Sequence, residues 1–199
     1  QSKSNLSISG GGEDVQYYAS LGYLNQDAYY KNSATDYSQY DFRLNTTAKI
    51  NDYISTKLGI MVKREDRNFP TESAGSIFRM LMRGRPTEPA VWPTGEPGPD
   101  IENGQNPVVI TTNATGYDKQ VTDYMQFTGS VDITNPWVEG LKLTLLTGVD
   151  NTNARTKTWQ TPWTLYYLDK EHYIDTGEPI LNGSIRSNFT DPRLAQSSA

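Results

Sequence analysis

The sequence predicts an all-β fold, because three observations agree on antiparallel strands. Apolar and polar residues alternate with a period of two over several segments, as in strands whose two faces meet different surroundings. Hydrophobic residues make up only 35% of the 199 residues, yet tyrosine occurs 13 times, which suits strands that are polar on one face. Short and long connections alternate along the chain, and short connections join antiparallel neighbours.

The clearest strands are residues 40–50 and 54–64, which a short turn joins into a predicted hairpin. In the first strand, Phe42 and Leu44 lie on one face and Asp41 lies on the other. The same period predicts further strands near residues 4–10, 15–25, 119–133 and 141–151.

Long polar or proline-rich connections separate pairs of strands, at residues 26–37, 65–117 and 153–199. Proline in the second connection excludes central strands there, and a connection this long is usually functional. Within it, residues from Ser73 to Arg83 are expected to form a short helix. The apolar side of this helix is predicted to contain Ile77, Phe78, Leu81 and Met82.

The order of connection lengths places all long connections at the same end of the predicted strands. Outer-membrane β-barrels show this asymmetry, and a tilted strand of about ten residues crosses a bilayer. Tyr53 and Trp137 lie at the short turns, where an aromatic girdle would meet the membrane interface. An outward apolar band is then expected from Phe42, Leu44, Leu58, Ile60, Phe127, Val131, Leu143 and Leu145. The charged side chains expected to point into the lumen are Asp41, Arg43, Lys49 and Lys63.

A soluble β-sandwich that binds carbohydrate through loop aromatics is the alternative interpretation. It predicts that the apolar faces of two sheets meet in a core. The same strands would then be covered, and the protein would be soluble without detergent.

Several classes of function receive no support from the composition. The formal net charge of −5 is not clustered in a way that suits nucleic acid. The chain has no cysteine and one histidine, His172, so we expect no metal site and no cofactor. The loop carboxylates at Glu65-Asp66, Asp100 and Glu102 have no spacing that selects a chemistry. We therefore expect that the protein is not an enzyme.

The order of short motifs resembles the SusC/RagA-type TonB-dependent transporters of Bacteroidetes outer membranes. The motifs are Ser7-Ile8-Ser9-Gly10-Gly11, Tyr17 to Gln26, Tyr37 to Asn45, Asn106-Pro107, Gly116-Tyr117 and Gly140-Leu141. The resemblance implies that residues 1–199 are part of a large antiparallel transmembrane β-barrel with long extracellular loops. Such barrels have about 22 strands and a plugged lumen. Only about six strands are predicted in this chain and the plug domain is absent from it, so we expect a fragment of the barrel.

The resemblance also implies a function, namely TonB-dependent import of glycans, peptides or other large nutrients across the cell outer membrane. A SusD-like surface lipoprotein would cover the barrel, TonB would act through the plug, and lipid would surround the strands. The loop aromatics are then candidates for contact with the substrate or the lipoprotein, since aromatic faces suit both sugar rings and protein interfaces. They are Trp92, Trp159, Trp163, Tyr166 and Tyr167. Packing within the loops, or a place in the outer aromatic girdle, is the alternative role for each of them.

Overall fold

The computed structural model describes residues 1–30, 33–187 and 189–198, and a single antiparallel sheet dominates it. Seven strands form this main sheet in the order β1-β2-β3-β4-β5-β6-β9, and β7 pairs with β8 in a separate two-stranded sheet. The all-β prediction is confirmed. The strands are β1 (Ser2–Gly11), β2 (Val15–Asp27), β3 (Asp36–Lys49), β4 (Ile54–Phe69), β5 (Gly116–Thr134), β6 (Lys142–Gln160), β7 (Thr164–Leu168), β8 (Leu181–Ile185) and β9 (Arg193–Ser198).

The strands extend past the limits that alternation predicted, mainly at the end where the long connections leave. The strand β4 continues to Phe69 and β6 continues to Gln160. Polar side chains replace apolar ones in these extensions: Lys63 Nζ lies 2.8 Å from Glu65 Oε1, and Arg67 Nη2 lies 2.8 Å from Glu65 Oε2. The backbone ladder does not need apolar side chains, so hydrophobic periodicity underestimates the strand length. The long connections are correspondingly residues 28–35, 70–115 and 161–192, and strands β7, β8 and β9 were not predicted.

Cross-strand register aligns the apolar residues of the main sheet in rows on one face. Residues that pair directly across antiparallel strands share a face. One row contains Leu6, Leu21, Phe42, Val62 and Met125. The next row contains Ile8, Ala19, Leu44, Ile60, Phe127 and Val149. Three further rows follow: the first contains Tyr17 and Leu58, and the other two end in Leu145 and Leu143, opposite Val131 and Ile133. We call these rows the apolar band.

The apolar band is not covered by any other layer among the described residues. None of the band residues is buried, and Leu6 and Leu145 are 71% and 56% exposed. The accessible surface of the chain is 13214 Å², whereas a folded monomer of 22.3 kDa is expected to expose about 9,400 Å². The β-sandwich alternative required a second sheet against this face, and the described part of the chain provides none.

The helices all lie in the long connections. They are α1 (Ala74–Arg83), α2 (Pro107–Ile110) and α3 (Lys170–Thr176). The predicted helix from Ser73 to Arg83 is confirmed, with Ser73 Oγ accepting from the backbone N–H of Ser76 at 3.1 Å as the N-cap.

The predicted apolar side of α1 is only partly right. Ile77 and Met80 are buried, but Phe78, Leu81 and Met82 are exposed. The helix packs against a narrow cluster that reaches only positions i and i+3, so the apolar residues on its other sides stay in solvent.

The three long connections leave the main sheet at the same end of the strands and contact one another there. The backbone N–H of Ala34, in residues 28–35, donates to the carbonyl of Thr111 at 2.9 Å, and that of Thr161 donates to the carbonyl of Thr115 at 3.0 Å. We call the assembly of the described residues of these three connections, namely 28–30, 33–35, 70–115, 161–187 and 189–192, the cap. The short turns lie at the opposite end of the strands, at residues 12–14, 50–53 and 135–141.

Candidate functional site

The cap has its own small hydrophobic core. Ile77 and Met80 of α1 meet Ile110 of α2, and all three side chains are fully buried. Tyr30 of the first long connection packs against this cluster, with its ring centroid 6.3 Å from that of Phe78 in an edge-to-face arrangement. The cap is therefore a packed unit and not a set of independent loops.

Asn106 orders the middle of the cap through three hydrogen bonds. Its side chain is fully buried. The Nδ2 group donates to the carbonyls of Ala90 at 3.2 Å and Pro99 at 3.1 Å, while Oδ1 accepts from the backbone N–H of Val108 at 3.0 Å. The last bond caps α2, whose first residue is Pro107, a residue suited to that position because it lacks an N–H. The side-chain amide of Asn106 thus links the segments at Ala90 and Pro99 to the start of α2.

A tryptophan side chain and a backbone hydrogen bond join the second long connection to the third. Trp92 Nε1 donates to the carbonyl of Tyr166 at 2.8 Å. The backbone N–H of Tyr166 donates to the carbonyl of Pro97 at 3.3 Å. Trp92 and Tyr166 are two of the predicted contact residues, and both are half-buried in this joint.

A cleft of about 320 Å³ lies between these two connections, at the end of the main sheet that carries the cap. This volume is at the lower end of the range for small-molecule sites. Its lining is mainly polar, with two aromatic rings. We call this site the cap cleft, and its lining includes Glu72, Asn103, Gln105, Gln160, Trp163, Arg186 and Phe189.

Trp163 lines the cap cleft and carries an unusual buried donor. Its Nε1 atom is buried and has no hydrogen-bond partner among the described residues. A buried polar group without a partner costs about 1–3 kcal/mol, so natural proteins rarely keep one without a ligand or an ordered water. The Trp163 indole is therefore an unsatisfied donor in the wall of the cleft.

Arg186 brings Tyr167 to the same region. The guanidinium carbon of Arg186 lies 5.2 Å from the centroid of the Tyr167 ring, and its Nε donates to the Tyr167 hydroxyl at 3.0 Å. Arg186 also lines the cap cleft beside Trp163, whose carbonyl accepts from the Arg186 backbone N–H at 2.9 Å. The structure thus brings two of the five predicted aromatics, Trp163 and Tyr167, together around one cation.

Trp159 lies outside the cap, which corrects its assignment to a loop at residues 153–199. It belongs to β6 and pairs with Tyr117 of β5 and Leu194 of β9. It shares the face of the apolar band, because odd-numbered residues of β6 lie on that face. For all five aromatics, contact with a substrate or partner stays a prediction.

Several cleft residues were missed because their side chains are ordinary in sequence. Asn103 has a positive φ of 53° and precedes Gly104, with φ 73°, and Asn-Gly is a recognisable turn signal. The Asp100 carboxylate fixes this turn by accepting from the Gly104 backbone N–H at 2.9 Å. No comparable signal identified Glu72 or Arg186.

A second loop carboxylate, Asp169, caps α3 beside β7. Its Oδ1 accepts from the backbone N–H of His172 at 3.0 Å. This hydrogen bond holds the pKa of Asp169 below its usual value, with a smaller contribution from the amide of Asn182 at 3.4 Å. The helix ends at Gly177, whose φ of 76° is left-handed.

The polar face of the main sheet carries the side chains predicted to face a lumen. Asp41, Arg43 and Lys49 are odd-numbered residues of β3, opposite to the face of Phe42. Lys63 pairs directly with Asp41 and shares that polar face. Within the described residues, no cluster of three side chains has the arrangement of a metal site. No helix in the described part of the chain has the length and apolar character needed to cross a membrane.

The fold and the site together define a class, namely an antiparallel sheet with one uncovered apolar face and long connections packed at one edge. The chain is similar to a structure described as the RagAB peptide transporter, with a TM-score of 0.58 and 20% identity over 80% of this chain. It is similar also to the RagAB peptide importer in the "closed-closed" state, with a TM-score of 0.55 and 19% identity over 80% of this chain.

These likenesses establish the fold. The chain covers only 18% of the length of the matched chain in each structure. No protein-family model matches the sequence, and no curated protein matches it significantly.

Proposed function

We propose that this chain is a segment of an outer-membrane β-barrel that imports large nutrients. In this proposal the main sheet is one arc of the barrel wall, with the apolar band against lipid and the polar face toward the lumen. The cap lies outside the cell. Transport draws its energy from TonB through a plug domain, and the segment itself performs no catalysis.

The observation that carries the proposal is the uncovered apolar band. A soluble protein rarely leaves a contiguous apolar patch larger than a few hundred Å², and this one crosses six strands. The band has five rows, from the row of Leu6 to the row of Leu143, and neighbouring rows are two residues apart along each strand. At about 3.4 Å per residue and a tilt of 35–45°, they give a band about 20 Å tall, close to the 25 Å typical of outer-membrane barrels.

Aromatic residues at both limits of the band support the same proposal. Tyr23 and Tyr40 pair directly in the row above Leu21 and Phe42, with ring centroids 5.1 Å apart. Trp137 is 88% exposed in the short turn at the other limit. Tyr and Trp are enriched where a membrane meets water.

The cap is proposed to contact the cargo or a SusD-like surface lipoprotein. Peptide is one candidate cargo, because the similar structures are described as a peptide transporter and importer. Glycan is the other, because Trp163 and Phe189 border the cap cleft together with carboxamide side chains.

Native extraction tests this proposal directly. The full protein is extracted from isolated membranes with detergent, and its intact mass and copurifying proteins are determined. We expect a mass far above 22.3 kDa, recovery in the outer-membrane fraction and a bound surface lipoprotein. A water-soluble, monodisperse species of 22.3 kDa would contradict the proposal.

A further inference from the structure

Four basic side chains lie on the face of the apolar band, beyond its upper limit. Arg64 of β4, Lys119 of β5, and Arg155 and Lys157 of β6 line one groove of about 620 Å³, and we call them the basic patch. Each belongs to the same set of alternate residues as the band on its strand, so all four share the band's face. The patch thus lies on the opposite face of the sheet from Asp41, Arg43, Lys49 and Lys63, the charged side chains that are predicted to face the lumen.

The two lysines of the patch face each other without a carboxylate. Lys119 and Lys157 pair directly across β5 and β6, an arrangement in which like charges destabilise a sheet. Among the described residues, no Asp or Glu oxygen lies within the 4.0 Å ion-pair distance of either Nζ atom. Lys119 Nζ lies instead 4.9 Å from the centroid of the Tyr117 ring. Such a pair becomes favourable when an anion bridges the two ammonium groups.

The two arginines are partly neutralised by neighbouring carboxylates. Arg64 Nε lies 3.0 Å from Asp66 Oδ2, and Arg64 Nη1 lies 3.8 Å from Asp123 Oδ1. Arg155 Nη2 lies 2.5 Å from Asp123 Oδ2. With two carboxylates against four cations, the uncompensated charge is concentrated at the lysines.

The position of the patch indicates how far from the apolar band its ligand extends. Arg64 is two residues past Val62, and Lys119 is six residues past Met125. At about 3.4 Å per residue and a tilt of 35–45°, these offsets correspond to about 5 Å and 15 Å along the membrane normal. An ordinary phospholipid headgroup region is only about 5–7 Å thick, so the ligand needs anionic groups on a taller headgroup.

A second groove continues from the patch into the apolar band. It has a volume of about 490 Å³, and Arg64 lines both grooves. The second groove runs over Leu6, Leu21, Phe42 and Val62. An acyl chain suits this apolar part, and the shared arginine places a cation where the chain would join its headgroup.

We propose that the basic patch binds the phosphate groups of a phosphorylated glycolipid in the leaflet around the barrel, an inference that rests on the proposed function. Phosphate bridges Lys119 and Lys157, and the sugar part spans the distance to Arg64. The acyl chains lie along the second groove. Charge-assisted hydrogen bonds from ammonium to phosphate relieve the repulsion within the lysine pair.

The test measures glycolipid binding to the full protein in detergent. The probe is the phosphorylated glycolipid purified from the outer membrane of the same cells. The variant K119Q/K157Q removes both charges, and K3Q/K170Q is the matched control, because both of its lysines lie outside the patch. We expect roughly 30-fold weaker binding for K119Q/K157Q, from the usual contribution of each lysine to anionic lipid binding, and less than twofold change for the control.

Two further measurements identify the ligand and the role of charge. The same glycolipid after removal of its phosphates is expected to bind the unaltered protein as weakly as the intact lipid binds K119Q/K157Q. The variant K119R/K157R keeps both charges and is expected to bind within threefold of the unaltered protein.

Each contrary result has a distinct meaning. Unchanged binding by K119Q/K157Q in a protein recovered from the outer membrane would overturn the patch assignment and leave the transporter proposal standing. Inorganic phosphate that competes as strongly as the glycolipid would show a free-anion site and overturn the lipid assignment. A protein that is not embedded in a membrane would overturn both proposals.

Discussion

Trp92 and Trp163 present the same indole N–H to different surroundings. The Trp92 donor has a carbonyl partner in Tyr166, whereas the Trp163 donor is buried without one among the described residues. The same chemical change therefore has different consequences at the two positions. Phenylalanine keeps an aromatic ring in each place and removes the donor.

We expect Trp92→Phe to weaken the cap by about 1 kcal/mol, because it removes a satisfied hydrogen bond and leaves the Tyr166 carbonyl without that donor. Trp163→Phe is expected to be neutral or stabilising by up to about 1 kcal/mol, because it removes an unsatisfied buried donor. The measurement is the opening free energy of the β7 amides, obtained from hydrogen exchange of the full protein. Equal losses for both variants would contradict the assignment of Trp163 as unsatisfied.

Asn106 offers a second test at this scale. Asn106→Ala removes three hydrogen bonds from a fully buried position, and we expect the exchange protection of α2 to fall by about 2–3 kcal/mol. The control is Asn113→Ala, an exposed asparagine in the adjacent 3₁₀ turn, for which we expect less than about 0.5 kcal/mol. Similar effects of both substitutions would show that the Asn106 hydrogen bonds do not hold the cap together.

Hydrophobic alternation predicts some strands of this protein well and others not at all. The six strands with apolar alternation were predicted at their positions over the part of each that crosses the apolar band, because one face is mainly apolar there. β7, β8 and β9 are short or polar, and their pairing depends on contacts distant in sequence, such as Arg155 with Ser198. The cap cleft was likewise beyond prediction, because Arg186 and Gln105 meet only through the fold of residues 70–115 and 161–192. The aromatic candidates were visible in sequence, but their partners were not.

The helix α3 depends on the charge of Asp169, which gives a pH prediction. The pKa of Asp169 is lower in the folded cap than in an unfolded chain, so its stabilising contribution is present above the ordinary carboxyl pKa. The contribution is lost as the pH falls through the lowered pKa. We expect the exchange protection of residues 170–176 to decrease in that acidic range and to be constant near neutral pH.

Asn is as good a helix cap as Asp but does not titrate. The variant Asp169→Asn is therefore expected to keep most of the protection at neutral pH and to lose its dependence on acid. If Asp169→Asn shows the same acid-induced loss as the unaltered protein, another group controls the stability of α3.

On the scale of the whole molecule, the two faces of the main sheet are expected to meet different solvents. These 199 residues contain no cysteine, so a single cysteine introduced on either face can report its surroundings once any cysteine elsewhere in the full protein is replaced. Leu145 lies in the apolar band and Thr144, its neighbour on β6, lies on the polar face. We expect Leu145→Cys to resist a water-soluble maleimide and Thr144→Cys to react with it, in intact outer membranes with the lumen accessible.

The same pair in detergent-free, denatured protein serves as the control, where both cysteines should react equally. Equal labelling of both positions in intact membranes would contradict the assignment of the band to lipid. The opposite pattern would show that the sheet is oriented with its apolar face toward the lumen.

The very long connection between β4 and β5 also has a consequence for the kinetics of folding. Every neighbouring pair from β1 to β6 is consecutive in sequence, but closing residues 70–115 costs about 1.5 kcal/mol more entropy than closing residues 28–35. A cap that orders early, around the Asn106 hydrogen bonds, would shorten the effective length of that closure. We therefore expect the hairpins that short turns close to form before β5 docks on β4, and this docking to wait for the folding of a segment that is not part of the sheet.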